Sequence, residues 1–236
     1  MTLEEKYEPK RFVELVFADQ IARDTCARYA QSKPYKHLML WGPPGSAKTT
    51  TARVILRERF ATANYDGLLD EFNAAELTPD DFEMLLNTAA LQRVNTGEAI
   101  LIINEFDEIE KEDQAKWRAW MDRQKWIKLI VTTNEKPGIQ GVRQKLMPAL
   151  LSRFECVELV PPSLQDWLPR AQSIFRQEGH NTTYNELEKL LGSFDGDIRN
   201  MLPIIESALD GLEAANLPAA SAKPLLKVVS TARSEL

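Results

Sequence analysis

Residues 37–51 read HLMLWGPPGSAKTTT, and the fold follows from how that stretch is divided. His37 to Trp41 is a short apolar run, the length of a buried parallel strand. Gly42-Pro43-Pro44-Gly45-Ser46-Ala47-Lys48-Thr49 then breaks the pattern. From Thr50 to Phe60 the apolar residues Ala52, Val54, Ile55 and Phe60 recur at helical spacing. A strand therefore runs into a Gly/Pro loop, and the loop opens a helix. Backbone N–H groups of such a loop, with the positive end of the helix behind them, favour a bound anion. The spacing Gly-x-x-Gly-x-x-Lys-Thr makes that anion a nucleoside triphosphate: Lys48 would reach the terminal phosphates and the Thr49 hydroxyl would ligate magnesium. Ala47 stands where glycine is usual, which matters if the position needs φ > 0.

Composition sets the limits around this motif. The chain has 236 residues, enough for one large domain or a medium one with a small companion. Two cysteines, Cys26 and Cys156, suggest no disulfide framework and fit a reducing cytoplasm. No apolar run approaches the ~20 residues of a membrane span, and the charged start carries no signal peptide. The net charge of −6 means that nucleic-acid contact must come from a local patch.

Along the chain, Pro9 makes the N-terminus an arm or short turn. Asp19 is a plausible N-cap for a helix over 20–31, with Ile21, Cys26 and Ala30 inward; Ser32-Lys33-Pro34 ends it. Strands are expected at 68–73, 99–103, 129–133 and 156–160, and helices at 78–92, 112–125 and 147–154. The stretch 136–145 reads as a loop. Pro161-Pro162-Ser163 looks like a boundary, beyond which only helical patterns appear, near 164–177, 184–193, 197–211 and 219–233. The expectation is an α/β nucleotide domain over 1–160 and a small helical lid over 161–236.

A second feature sits at the end of the expected strand 99–103, where Asn104-Glu105-Phe106-Asp107 follows. P-loop NTPases hold their magnesium shell with a carboxylate at such a strand end, and a following Glu can deprotonate the attacking water. Asn104 can hydrogen-bond a metal-bound water but brings no charge, so weakened magnesium binding is expected. A solvated acidic cluster is the plainer alternative for Glu105, Asp107, Glu108 and Glu110. Asn134 follows another apolar run, as a γ-phosphate or water sensor would, or it simply turns the chain. Arg153 and Arg199, taken singly, read as exposed arginines.

Together these pieces resemble the AAA+ ATPases, and among them the small ATPase subunits of sliding-clamp loaders. Lys6-Tyr7-Glu8-Pro9-Lys10-Arg11-Phe12 is similar to that family's N-terminal box, with Glu8 in place of arginine. Gly42 to Thr50 is similar to its phosphate loop, with Ser46 and Ala47 substituted, and Asn104-Glu105-Phe106-Asp107 to its Asp-Glu-x-Asp. The resemblance implies a P-loop NTPase (AAA+) fold, a parallel sheet flanked by helices followed by a helical lid. It implies ATP and Mg2+ as cofactors, with Tyr7, Val16, Gly42 to Thr50 and Arg199 around the nucleotide and Thr49 and Asn104 on the metal.

It further implies that Glu105 activates water and that Asn73 restrains it until DNA is bound. Asn134 becomes the first sensor and Arg199 the second. Arg153, in Pro148-Ala149-Leu150-Leu151-Ser152-Arg153-Phe154, becomes an arginine finger for a neighbouring subunit. The implied partners are neighbouring AAA+ subunits in a ring or spiral, a sliding clamp and primer–template DNA, with no membrane. Between 111 and 145 nine basic residues meet four acidic ones, and Lys111, Lys116 and Arg118 are the expected DNA contacts. A solvated helix with Trp117 and Trp120 in the core is the alternative there. The family usually continues into a helical collar, and this sequence stops at Leu236, just after the expected lid. A rival of another class is a nucleotide-dependent assembly protein that barely hydrolyses ATP and acts on protein partners; Ala47 and Asn104 favour it.

Overall fold

The computed structural model describes residues 2–32, 34–61, 71–137 and 146–216. Five parallel strands form one sheet: β1 (His37–Trp41), β2 (Glu71–Asn73), β3 (Ala99–Asn104), β4 (Ile127–Thr133) and β5 (Phe154–Glu158). Their spatial order is β2-β3-β4-β1-β5. The strand that feeds the Gly/Pro loop is therefore central, and β4 lies between it and β3. Leu38 pairs with Ile130 and Glu155, and Leu101 pairs with Leu129. All five strands point the same way, so their C-terminal ends share one edge. In open parallel sheets that edge is where ligands bind.

Strand alternation divides the core in two. Met39, Leu101, Ile103, Leu129 and Val131 face α4 (Phe82–Thr96) and α5 (Gln114–Arg123). Leu38, Leu40, Ile100, Ile102 and Ile130 face α2 (Gln20–Gln31) and α3 (Lys48–Arg59). Both sides of the sheet are covered, which is why its strands read as continuous apolar runs rather than as alternation. Trp117 and Trp120 are buried in the first layer and stack around Phe82, so α5 has an aromatic inner face and a charged outer one.

A third core is wholly helical. It gathers residues of α7 (Leu164–Gln177), α8 (Tyr184–Leu190) and α9 (Ile198–Asn216). Tyr7, on the short α1 (Leu3–Tyr7), is buried in it, and Lys6 pairs with Glu178 at 2.6 Å. The N-terminal arm thus packs on the helical part of the chain, although it precedes the sheet in sequence. One short helix, α6 (Pro148–Leu151), leads into β5.

Several expectations shift. Ile21 is 76% exposed; the inward face of α2 is Ala22, Cys26, Tyr29 and Ala30. Asp19 does cap that helix, accepting from the N–H groups of Ile21 and Ala22. The helix expected at 78–92 begins as a tighter turn over Pro79–Asp81 and runs on to Thr96, where Gly97 ends it with φ 81°. The helix expected over 147–154 is only α6, because β5 begins at Phe154, two residues earlier than expected. Residues 68–70, most of the 136–145 loop, Lys33 and the expected last helix at 219–233 lie outside the described residues.

Two local features carry consequences for stability. Ala47 sits at φ 59°, ψ 25°, the left-handed region, immediately before α3. An L-residue with a Cβ pays roughly 1–2 kcal/mol there. His37 is buried at the start of β1, and its Nδ1 accepts from the Leu129 N–H at 3.0 Å. Burial first, then the nearby charges of Lys128 and Arg153, push its pKa down to about 4. The ring is therefore neutral in the folded protein.

Ala47→Gly is expected to raise the unfolding free energy by up to about 1 kcal/mol, the relief of strain less the added chain entropy; a fall in urea-denaturation stability would contradict the strain. For His37 the unfolded chain takes up a proton near pH 6.5 and the folded chain only near pH 4. The stabilisation is thus present above the unfolded value and is lost as the pH falls from about 6.5 to about 4. The parent should lose about 3 kcal/mol more than His37→Gln across that window, at about 1.4 kcal/mol per pKa unit. Parallel pH profiles for the two would show that His37 is not the group responsible.

Candidate functional site

The Gly/Pro loop lies at the C-terminal edge of the sheet, between β1 and α3. Gly42 has φ 154°, and a Cβ there would sit 2.3 Å from the Leu159 carbonyl oxygen. Only glycine lets the loop pass under the segment that leaves β5. Lys48 folds over the loop, and its Nζ donates to the carbonyls of Gly42 at 2.9 Å and Pro43 at 2.8 Å. Burial lowers the Lys48 pKa, and the nearby Asp107 carboxylate opposes that shift. A half-buried ammonium held by two carbonyls is ready to exchange them for phosphate oxygens. The buried Ser46 hydroxyl has no partner among the described residues, a donor that an anion in the loop would satisfy.

The end of β3 meets the start of α3. Thr49 Oγ1 donates to Asn104 Oδ1 at 2.9 Å, and Thr132 Oγ1 on β4 donates to the same oxygen at 3.0 Å. Residues fifty-five apart in sequence are thus in direct contact. The Thr49 proton points at Asn104, which leaves a hydroxyl lone pair for a cation. Asn104 accepts both hydroxyl protons, as a carboxylate would, and carries no charge. An oxygen-rich cluster of Thr49, Asn104 and the adjacent Glu105 and Asp107 fits a hard cation such as Mg2+ in donor type.

Glu105 is exposed at the same edge, with φ 54°, and its N–H donates to Thr132 Oγ1 at 3.2 Å. The strained backbone turns the residue out of the strand direction. Asn134 is exposed directly after β4, between the ends of β1 and β3. Asn73 ends β2 beside Asn104, and its Oδ1 accepts from the Ala75 N–H at 3.2 Å, capping its own turn.

On the other side of the loop lies a cleft whose lining includes Tyr7, Val16, Ala47, Thr50 and Arg199. The sequence places these residues far apart, and the fold brings them to one wall of the loop. The helical layer touches the loop directly here. The Ile198 N–H donates to the Gly45 carbonyl at 3.3 Å, and Gly45, at φ 76°, has no room for a Cβ because Asp197 Oδ1 would be 2.3 Å away. Arg199 is forked onto Asp197 at 2.5 Å and is itself exposed.

Two groups of expected site residues lie elsewhere. Arg153 is at the opposite edge, where the His37 N–H donates to its carbonyl at the start of β1. Its guanidinium grips Asp122 with bonds of 2.7 and 2.5 Å. A five-residue strand separates it from its own loop, about 16 Å at ~3.3 Å per residue. Lys111 and Lys116 are exposed and Arg118 is half-buried; Lys111 precedes α5 and the other two are on it. Lys116 pairs with Asp113 at 2.8 Å. None of these belongs to the loop.

Sequence reading missed Glu71 and Arg53, which join Asn104 in one polar network. It also missed the outer face of α4, where Met84, Leu91 and Val94 are exposed. The signal for that face was available: the helix is apolar on more than one side.

Comparison with known proteins agrees with this geometry. Residues 38–162 match the model of the ATPase family associated with various cellular activities (AAA). A probable replication factor C subunit 5 from Caenorhabditis elegans is 25% identical over 216 residues, covering 86% of this chain and 56% of that protein. The replication factor C small subunit of Archaeoglobus fulgidus is 26% identical over 235 residues, covering 98% of this chain and 69% of that one. The chain thus spans little more than half of the first of these relatives. Among solved structures, the Thermotoga maritima RuvB Holliday junction branch migration motor superposes with a TM-score of 0.65 at 19% identity, covering 89% of this chain and 67% of that one. Domain III of the replication initiation protein DnaA from the same organism gives 0.60 at 16% identity, with 87% and 90% covered. At those identities the two structures speak for the fold alone. With its phosphate loop, its strand order and more than half its length matched, the chain belongs to the ATPase family associated with various cellular activities (AAA).

Proposed function

We propose that the chain binds Mg-ATP at the Gly42–Thr49 loop and hydrolyses it as one subunit of a clamp-loader-like assembly, which places a sliding clamp on primer–template DNA. One observation carries the reading: Thr49 at the start of α3 and Asn104 at the end of β3 are in contact, so loop, cation side and base share one edge. The names of the replication factor C relatives support the replication setting. The site would operate in the cytoplasm or beside replicating DNA; among the described residues no helix is long and apolar enough to cross a membrane.

In this reading ATP supplies the scissile phosphoanhydride and Mg2+ neutralises charge on its oxygens. Lys48 leaves the Gly42 and Pro43 carbonyls for the terminal phosphates. Thr49, oriented by Asn104, offers its lone pair to the cation. Glu105 takes the proton of the attacking water, and Asn134 positions that water. Arg199 leaves Asp197 for the γ-phosphate and draws the lid onto the loop, while Tyr7, Val16, Ala47 and Thr50 form the wall beside it. Arg153, remote from its own loop, completes the site of a neighbouring subunit. Lys111, Lys116 and Arg118 follow the DNA backbone, and phosphate contacts alone make the grip independent of sequence. The proposed division is a nucleotide domain over 1–160 and a lid over 161–236.

A second reading is favoured by the neutral amide at Asn104. The chain would then bind ATP tightly, scarcely hydrolyse it and act on a protein partner. The exposed apolar face of α4 suits either reading, because a clamp is also a protein.

Turnover assays with and without primed DNA, beside equilibrium ATP binding, separate the two readings. Glu105→Gln should lower turnover at least ~100-fold while ATP binding persists; unchanged turnover would remove Glu105 from the chemistry. Arg153→Ala should abolish the DNA-stimulated part of turnover in the assembled complex, with a loss of about 1,000-fold or more for a trans-acting arginine, and leave ATP binding by the isolated chain intact. Tight ATP binding with no turnover under any condition would favour the second reading.

A further inference from the structure

Glu71 lies on β2, outside every motif quoted from the sequence. Its carboxylate accepts from Asn104 Nδ2 at 2.6 Å. Arg53 holds the same carboxylate from α3, with Nε at 2.7 Å and Nη2 at 3.0 Å. Arg53 is one helical turn after Thr49, so both reach β3 and β2 from one face of α3. Thr49, Asn104, Glu71 and Arg53 thus form a chain of hydrogen bonds that leaves α3 at Thr49, crosses β3 and β2 and returns to the helix at Arg53, and Thr132 joins it from β4.

The Glu71 carboxylate at the nitrogen end, with the Thr49 and Thr132 hydroxyls at the oxygen end, sets which way the Asn104 amide points. An aspartate has two equivalent oxygens and needs no such help. An asparagine has one acceptor end and one donor end, and they differ in what they do to Thr49. With the oxygen inward, Asn104 takes the Thr49 proton and leaves the hydroxyl lone pair free for a cation. With the nitrogen inward, its N–H would compete for that same lone pair. Glu71 can only accept when ionised, so it selects the first arrangement. Arg53 neutralises Glu71, so the effect is one of orientation and not of added charge.

We propose that Glu71 is a positioning residue of the magnesium side of the site, fixing the Asn104 amide so that Thr49 presents its lone pair to the metal. The proposal rests on the reading of Thr49 and Asn104 as the metal-side pair. It also explains how this chain works with an amide where an acid is usual: the orienting half of the acid's role is kept by a carboxylate on the neighbouring strand.

The test is the gain in affinity that Mg2+ confers, not turnover. A non-hydrolysable ATP analogue is titrated calorimetrically into the full chain with Mg2+ and with EDTA. The parent, Glu71→Ala, Asn104→Asp and the double variant are compared. Losing an outer partner of a metal ligand costs about 10–100-fold in metal affinity. Glu71→Ala should therefore cut the Mg2+-dependent gain about tenfold and leave the EDTA affinity unchanged. In the Asn104→Asp background the same change should leave the gain unaltered or raise it, because an acid there needs no orienting partner.

Equal gains in parent and Glu71→Ala would overturn the proposal. So would equal losses in both backgrounds, the mark of a merely structural ion pair. If Glu71→Ala melts early, Glu71→Gln, which keeps an acceptor oxygen, serves in its place. A smaller loss, seen only with Asn104, supports the proposal; a loss of equal size in both backgrounds overturns it. An analogue that binds the parent in neither condition sinks the ATP reading itself, whereas binding with unchanged gains sinks the role of Glu71 alone.

Discussion

The contact between the Thr49 hydroxyl and the Asn104 amide is the joint of this molecule. It exists because β1 and β3 are parallel, are separated by one strand, and end at the same edge. A parallel sheet alone would give the shared edge. The contact additionally requires that α3 start close to the sheet, which the glycine at position 42 allows by passing beneath Leu159. The Gly42–Thr49 loop, the Thr49–Asn104 pair and Glu105 then share that edge. Among the described residues, the non-glycine positions with left-handed backbone are Ala47 and Glu105, and both lie at this edge. Strain of that kind persists where surrounding structure over-determines it, which is the case at a site held by three strands and a helix.

The helical part is coupled to the same edge by a different means. Ile198 and Asp197, at the start of α9, press on Gly45, and Arg199 is held next to them. Tyr7 anchors the N-terminal arm in the helical core, so the wall beside the loop is built from both ends of the described chain. A ligand in the loop would therefore be felt by the arm and the helices together. The loop and the helical part are thus joined through packed residues.

Much of this was legible in the sequence, for identifiable reasons. The runs 38–41, 99–103 and 129–131 are apolar because both sheet faces are covered, and such runs are hard to mistake. Gly42, Gly45 and Lys48 mark the loop by their spacing, and the structure places that loop between β1 and α3. Ile21 was misread because α2 turns a narrower face inward than its apolar residues suggest. The helix expected to end at 92 continues to Thr96, because Gly97 is the first residue that stops it. Glu71 was invisible for a deeper reason: a lone acid before Phe72 gains meaning only once β2 is known to pair with β3. The fork of Arg153 onto Asp122 likewise depends on where α5 ends relative to β5, which no local pattern encodes.

The most direct test of the central claim is a crystal structure of the chain with Mg2+ and a non-hydrolysable ATP analogue. The account predicts the triphosphate within the Gly42–Thr49 loop, the Thr49 oxygen bonded to the metal with Asn104 behind it, and Glu105 facing the terminal phosphate. A nucleotide seated elsewhere, or a metal held without Thr49, would contradict it.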